Sequence, residues 1–308
     1  MIIDIHTHIY DRKMYPKRFW EGLFEIKKRT LSDDEFKRWE SATDGNVNNL
    51  IKDMDDAGID ISVCLTSDYA FLSQEEAEIP IWNANVLVAE AQQKYPDRII
   101  GFAGVDPLRP GAVDLIEKGV KELGLKGVKF FPYLQNPNEQ SIAPFMQKVA
   151  DLGVPVLFHQ GTDPLPFLAK YGDPRYLDDL LYRHPQLRIT AAHCARGYED
   201  LLVEMAIGRP KRLWTDLSGM QHEYVASPWH FLTRMRYMLD RMPNAVMIGS
   251  DWPFLKTIQS YPSHKGWIDV IKNLELPKAF LNMGMKQFNK EEKIKVLGEN
   301  AKEFLMLA

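Results

Sequence analysis

The 308-residue chain has only two cysteines, Cys64 and Cys194, no apolar run long enough to cross a bilayer and no block of basic residues. Each scarcity removes a class of function. Two cysteines so far apart make neither a disulfide framework nor a zinc knuckle, which points to a reducing cytoplasm. Met1-Ile2-Ile3-Asp4-Ile5 is too short for the apolar core of a signal peptide and lacks a basic start, so neither secretion nor a membrane is expected. With 38 Lys and Arg against 42 Asp and Glu, the net charge is −4, and no concentrated positive face is available to bind nucleic acid or an anionic lipid surface. Glycine and proline, at 19 each, are too few for a collagenous or low-complexity chain, while an apolar share of 45% supplies a core. What remains is a soluble cytoplasmic protein whose partner is a small molecule.

Short apolar runs bounded by turn residues predict eight strands, at residues 2–8, 59–66, 98–105, 127–133, 154–159, 187–193, 213–218 and 245–251. Runs such as Val154-Pro155-Val156-Leu157-Phe158 are apolar throughout, as strands buried on both faces of a parallel sheet are. Between them lie segments of helical period. Val47, Leu50, Ile51, Met54 and Ala57 share one face, as do Val113, Ile116, Val120 and Leu123. Further helices are expected at 81–94, 144–152, 174–183, 198–207, 228–241 and 291–307, with Ser32-Asp33-Asp34-Glu35 and Glu291-Glu292-Lys293 as acidic first turns. This alternation predicts a single-domain (β/α)8 TIM barrel over residues 1–308, with long insertions at 9–45 and 252–288 after strands one and eight. The rival, an open doubly wound sheet, is weakened because no Gly-x-Gly-x-x-Gly follows the first strand.

The polar residues that close these strands carry the chemistry. His6 and His8 close strand one, and their i, i+2 spacing sends both side chains to one face, taken as the barrel interior. His159 closes strand five, His193 strand six and Asp251 strand eight, so all five converge on the C-terminal mouth where barrels build their sites. Burying four imidazoles and a carboxylate together is costly unless they are well paired. A divalent metal resolves that cost, since imidazole nitrogen and carboxylate oxygen suit Zn2+ and also serve Mn2+, Fe2+ or Co2+. The expected ligands are His6, His8, His159 and Asp251, with His193 a further candidate; a hydrogen-bonded cluster without metal is the alternative.

Asp4-Ile5-His6-Thr7-His8, His159-Gln160-Gly161, Ala192-His193, Asp216-Leu217-Ser218-Gly219, Gly249-Ser250-Asp251-Trp252-Pro253 and Gly298-Glu299-Asn300-Ala301-Lys302-Glu303-Phe304 follow one another from end to end of the chain. By these pieces it resembles the amidohydrolase superfamily, in the amidohydrolase-related branch that includes aminocarboxymuconate semialdehyde decarboxylase. The resemblance implies one divalent metal, usually zinc, held by His6, His8, His159 and Asp251, with His193 contacting water or substrate beside it. Two reactions stay open. In a hydrolase of a small organic acid, lactone or amide, Asp251 takes a proton from a metal-activated water and passes it to the leaving group, while His193 orients water or polarises a carbonyl. In a nonoxidative decarboxylase of an aromatic or muconate-type acid, the ring or diene stores the developing charge and Asp251 or His193 handles the proton at carbon. Hydrolysis is placed first because the motif set contains everything that activation of water needs; a noncatalytic metal-binding barrel is the third reading.

Lys129, in Gly127-Val128-Lys129-Phe130-Phe131-Pro132, is expected to line the site and meet a substrate carboxylate. In binuclear members of the superfamily a carboxylated lysine at this place bridges two metals. Arg196, three residues after His193, is either a bidentate clamp for a carboxylate or a loop residue capping the next helix. Trp252, with Trp20 and Trp39 in or beside the insertions, can wall a pocket for a planar substrate, although simple packing is the commoner role. His184, His222, His230 and His264 are expected at the surface or the pocket rim. Cys194 is not expected to pair with His193, because neighbouring strand residues face opposite ways, and Cys64 is read as a core residue. Trp252, Tyr261, Trp267 and Phe280 give the second insertion the apolar character of a homodimer contact or of a lid.

Overall fold

Eight parallel strands pair in strict sequence order: β1 (Ile3–Thr7), β2 (Ile61–Leu65), β3 (Ile99–Gly104), β4 (Gly127–Phe130), β5 (Val156–Phe158), β6 (Ile189–Ala191), β7 (Leu213–Asp216) and β8 (Val246–Met247). This is the expected TIM barrel, seen in a computed structural model that describes residues 1–42, 44–162, 167–254 and 263–307. The first insertion holds α1 (Lys17–Thr30) and α2 (Asp33–Ala42), and the crossovers hold α3 (Val47–Ala57), α4 (Ala70–Ser73), α5 (Ile81–Lys94), α6 (Ala112–Lys121), α7 (Ala143–Leu152), α8 (Arg175–Arg183), α9 (Glu199–Ile207), α10 (Gln221–Ala226) and α11 (Pro228–Arg241). After β8 come α12 (His264–Lys272), α13 (Lys278–Asn282), α14 (Lys290–Ile294) and α15 (Asn300–Leu305).

Local chemistry explains these elements. Asn46 caps α3 by accepting the Asn48 N–H, and Gly58 ends the helix in the left-handed region at φ 69°, where a side chain is strained. Asp33, Asp34 and Glu35 do form the acidic first turn of α2. In α1 and α2 the insertion adds to the outer core, with Trp20 and Trp39 buried beside Phe24. Among the described residues no helix is long and apolar enough to cross a membrane.

Inside the barrel, Ile3, Ile5, Val63, Leu65, Phe102, Leu157, Trp214 and Met247 form one cluster, which Ala301 and Phe304 of α15 close from the N-terminal end of the strands. The terminal segment has a mechanical use. Asn300 Nδ2 donates to Pro243 O at 3.0 Å and Val246 O at 2.8 Å, and Gly298 lies so near Met1 O that a Cβ there would sit 2.3 Å away. The strand-to-helix layer outside is larger and includes Val128, Phe130, Phe158, Ile189 and Ile248.

Two departures from the sequence reading shape the site. First, β1 carries an extra residue against β2, because Asp4 pairs with Ser62 and Thr7 with Cys64. Strict alternation puts Asp4, His6 and His8 on one face, but this bulge turns Asp4 outward towards α12 while His6 faces inward. Second, β5, β6 and β8 stop short of His159, His193 and Asp251, which stand on the loops just beyond. His193, Cys194 and Ala195 all adopt positive φ, so the strand rule used for Cys194 does not apply; Asp251 does the same at φ 58°.

Candidate active site

The bulge in β1 and the loop after β8 bring His6, His8 and Asp251 together. One donor atom from each lies within 4.8 Å of the others. The Asp251 Oδ1 atom is 3.4 Å from His8 Nε2 and 3.6 Å from His6 Nε2. Behind His6, the Nδ1 atom sits 3.1 Å from Asp216 Oδ2 and 3.0 Å from Ser218 Oγ. A carboxylate accepts, so Nδ1 carries the hydrogen and the Nε2 lone pair is left facing the mouth, as a ligand needs.

His193 and His159 form the next part of the site. His193 Nδ1 donates to Ser218 O at 3.1 Å, which leaves its Nε2 as an acceptor 3.2 Å from His159 Nδ1. His159 Nδ1 therefore carries the hydrogen of this contact. His159 lies outside the close trio but is joined to it through His193, whose ring centre is 4.8 Å from that of His6.

Electrostatics keep His6, His8 and His193 neutral and Asp251 charged. Burial first, and then the Lys129 charge, hold His6 well below its ordinary value; burial also lowers His8. His193 is pushed down to about 3 by burial, with His159 and His6 adding to the effect. Burial alone would raise Asp251, yet the hydrogen bond from His8 and the neighbouring imidazoles hold it well below the usual carboxylate range. Cys64 is pushed up to about 12 and Cys194 well above its usual value, both chiefly by burial, so neither supplies a thiolate.

The expected substrate-binding residues fall in different places. Lys129 is buried on β4 with Nζ 3.5 Å from His6 Nε2, at the floor of the mouth. Arg196 is half-buried and donates from its terminal amine to Thr162 O at 2.8 Å, which ties the loops after β5 and β6 together. Trp252 is buried in the outer core and donates its indole N–H to Asp53 Oδ2 at 2.8 Å. Trp267 is also interior, so two of the residues behind the expected dimer contact are used within the chain; Tyr261 lies outside the described residues. His264, expected at the rim, is instead buried against Asp4, because α12 packs its first turn behind β1.

Several contributors have no role in the sequence reading. Asp216 and Ser218, which lie in one of the motif pieces without an assigned role, orient His6 and His193 from the end of β7. A chain of ring contacts also escapes any sequence period. It runs from His8 through Phe254 (5.9 Å), Tyr10 (5.6 Å), Tyr15 (5.2 Å), Tyr69 (5.0 Å) and Phe131 (5.5 Å) to His159 (3.9 Å, stacked). From His159 it returns through His193 and His6 to His8, so nine rings form one closed circuit of contacts, four imidazoles on one arc and five aromatic side chains on the other. Nearby, Arg109 pairs with Asp68 through Nε at 2.8 Å and a terminal amine at 3.0 Å, and Tyr133 donates to Asp106, bracing the turn that carries Tyr69.

A sequence model of the amidohydrolase family matches residues 3–307. No curated protein matches the chain. Among solved structures it is similar to 5-carboxyvanillate decarboxylase from Novosphingobium aromaticivorans, complexed with manganese and 4-hydroxy-3-methoxy-5-nitrobenzoic acid, at 17% identity and TM-score 0.70 over 100% of this chain and 96% of that one. It is also similar to a dihydroxybenzoic acid decarboxylase from Polaromonas with bound manganese and 2-nitroresorcinol, at 16% identity and TM-score 0.66 over 99% and 97% of the two chains. A probable 2-pyrone-4,6-dicarboxylic acid hydrolase from Acinetobacter baumannii follows at 19% identity and TM-score 0.58, over 99% of both. At such identities the likeness is one of fold.

Proposed function

The chain belongs to the amidohydrolase family, and from that premise we propose that it is a nonoxidative decarboxylase of a hydroxylated aromatic acid. Membership makes it a metal-dependent enzyme. The choice between the two reactions rests on the five-membered aromatic arc that faces the imidazoles, a wall suited to a planar ring. The decarboxylases among its structural neighbours act on aromatic acids and support the same choice. Hydrolysis, placed first from the sequence, becomes the second reading, and the pyrone hydrolase neighbour keeps it in view.

The donor set fits a divalent ion, because Asp216 holds the Nδ1 hydrogen of His6 and so turns its Nε2 lone pair towards His8 and Asp251, while Asp251 is ionised. His6, His8, His159 and Asp251 would hold it; bound there, a zinc or manganese ion would supply positive charge to substrate oxygens. Manganese is present in two neighbours, and the nitrogen and oxygen donors here serve either metal.

The chain's own residues divide the remaining work. Lys129, at the floor, and Arg196, at the rim, bind and orient the substrate carboxylate. Asp251 takes the proton of a ring hydroxyl and delivers it to the carbon that bears the carboxylate, giving a ring ketone. The carbon–carbon bond then breaks, carbon dioxide leaves, and the electron pair returns to the ring as a phenolate that regains its proton from water. His193, neutral and fixed by Ser218, positions the substrate against the aromatic arc. Its two buried, unbridged cysteines suit the reducing cytoplasm.

The test is a panel of hydroxybenzoates and carboxyvanillate with metal-loaded protein. Equimolar carbon dioxide and decarboxylated arene, with no oxygen-18 entering the arene from labelled water, is expected. Opening of a lactone with no carbon dioxide released would overturn the reading in favour of hydrolysis.

A further inference from the structure

Asp251 places its carboxylate beside His6 and His8 from a backbone that is itself under strain. Its φ of 58° lies in the left-handed region, which costs residues other than glycine and persists where the surroundings hold it. The peptide group that leads into Asp251 is held at both ends. Its N–H donates to His6 O at 2.8 Å, and its carbonyl, that of Ser250, accepts from Gln221 Nε2 at 3.0 Å. Beyond it, Trp252 N–H donates to Ser250 Oγ at 3.1 Å, and Trp252 O accepts from His8 N at 2.7 Å. Of these contacts, that from Gln221 alone comes from neither β1 nor the loop itself.

Gln221 is a costly residue to bury in this place. It is fully enclosed, yet its Oε1 has no hydrogen-bond partner among the described residues. A carbonyl only accepts, so Ser250 O fixes which end of the amide faces it and leaves Oε1 as the stranded atom. An apolar side chain of the same length would fill the space without stranding an oxygen, so what the amide adds is its donor. Its position is equally specific. The turn after β7 presents Asp216 to Nδ1 of His6, Ser218 to Nδ1 of His193 and then, from the first residue of α10, Gln221 to the Ser250 carbonyl. Gly219 makes the bend between the last two at φ 76°, where a side chain is strained. One short turn thus sets the register of His6, His193 and Asp251 together.

We propose that Gln221 is a positioning residue for the metal site: by holding the Ser250 carbonyl it keeps Asp251 in the left-handed backbone conformation that sets its carboxylate beside His6 and His8. This rests on the assignment of Asp251 as a ligand and names what keeps that ligand in place. Without the donor, the buried carbonyl has to turn to find another partner. A turn of that peptide releases the strain at Asp251 and draws its carboxylate away from the two imidazoles.

The test is the affinity for Zn2+, measured by competition with a chelator, of the wild type, Gln221→Met, Asp251→Gly and the double variant. Gln221→Met is expected to weaken Zn2+ about tenfold, the effect of losing a group that orients a ligand, and to shift the visible absorption of the Co2+-loaded protein as the coordination changes. Asp251→Gly removes the carboxylate, tolerates the same backbone and leaves the imidazoles to bind Zn2+. In that background Gln221→Met is expected to change the affinity by less than about twofold, because the carboxylate it acts through is gone. Equal weakening in both backgrounds overturns the proposal by showing a general effect on packing, and so does no weakening in either. If Gln221→Met does not fold, Gln221→Asn carries the same comparison, its amide being one methylene short of Ser250 O; if neither folds, the side chain serves the fold at large and the proposal is overturned. Should the wild type bind no Zn2+, or Asp251→Gly bind it as tightly as the wild type, the ligand assignment itself fails and takes this inference with it.

Discussion

The Nε2 atom of His264 lies 2.8 Å from Oδ2 of Asp4, although 260 residues of chain separate them. The other oxygen of Asp4 accepts the N–H groups of His6 at 3.2 Å and Ser250 at 3.0 Å. One buried carboxylate thus fixes both segments that carry the close trio, and His264 anchors that carboxylate from α12. Replacing His264 by Ala strands the carboxylate, and the variant is expected to lose about 1–3 kcal/mol in urea unfolding and to release metal to a chelator about tenfold more readily. His264→Gln keeps a donor and should recover part of both losses. An unchanged unfolding midpoint for the alanine variant would refute the role.

Elemental analysis should find one divalent ion per wild-type chain. In His6→Ala/His8→Ala two of the proposed ligands are gone, and both the ion and the rise in melting temperature on adding metal should disappear. A double variant that keeps its full metal content would remove these residues from the ligand set.

Lys129→Met tests the two roles of the β4 lysine. As a carboxylate-binding cation it should raise KM for an aromatic acid by about 10–100-fold with metal content unchanged, because a charge-assisted bond is lost while the ligands stay. A fall from two ions to one per chain would instead restore the bridging role.

The neutral imidazoles make the metal-free protein sensitive to mild acid. In the unfolded chain each histidine returns to about 6.5, whereas in the fold burial lowers His6 and His8 and pushes His193 to about 3. The stability tied to them is complete above about pH 6.5 and is lost as pH falls, because the unfolded chain then binds protons that the fold excludes. The slope is at most about 1.4 kcal/mol per pH unit for each histidine. Asp251, also lowered, adds a loss only below about pH 4. The urea midpoint of metal-free protein should therefore drop between pH 7 and 5, and His193→Asn should reduce the drop; a flat profile would contradict the assignment of neutral rings.

The alternation of apolar runs and helical periods made the barrel legible, since each run is a strand with both faces buried and each period is a helix with one. The positions of His6, His8, His159, His193 and Asp251 were legible for the same reason, as polar residues where such runs end. What escaped was whatever depends on distance in space. The extra residue in β1 leaves no mark on composition, yet it decides that Asp4 looks out and His6 looks in. His264 belongs to the opposite end of the chain from its partner, and the arc from Phe254 to Phe131 is assembled from four separate loops. Nothing in their spacing announces a common surface.

The circumference of the barrel is completed between its first and last strands by Ile5 N to Ile248 O at 3.1 Å, Asp251 N to His6 O at 2.8 Å and His8 N to Trp252 O at 2.7 Å, in place of a regular ladder. The side chains of His6, His8 and Asp251 hang from that same join. An ion shared among them would act as a clasp across this irregular join, and the amides of Ile5, His8 and Asp251 are where slowed hydrogen exchange would register its closing.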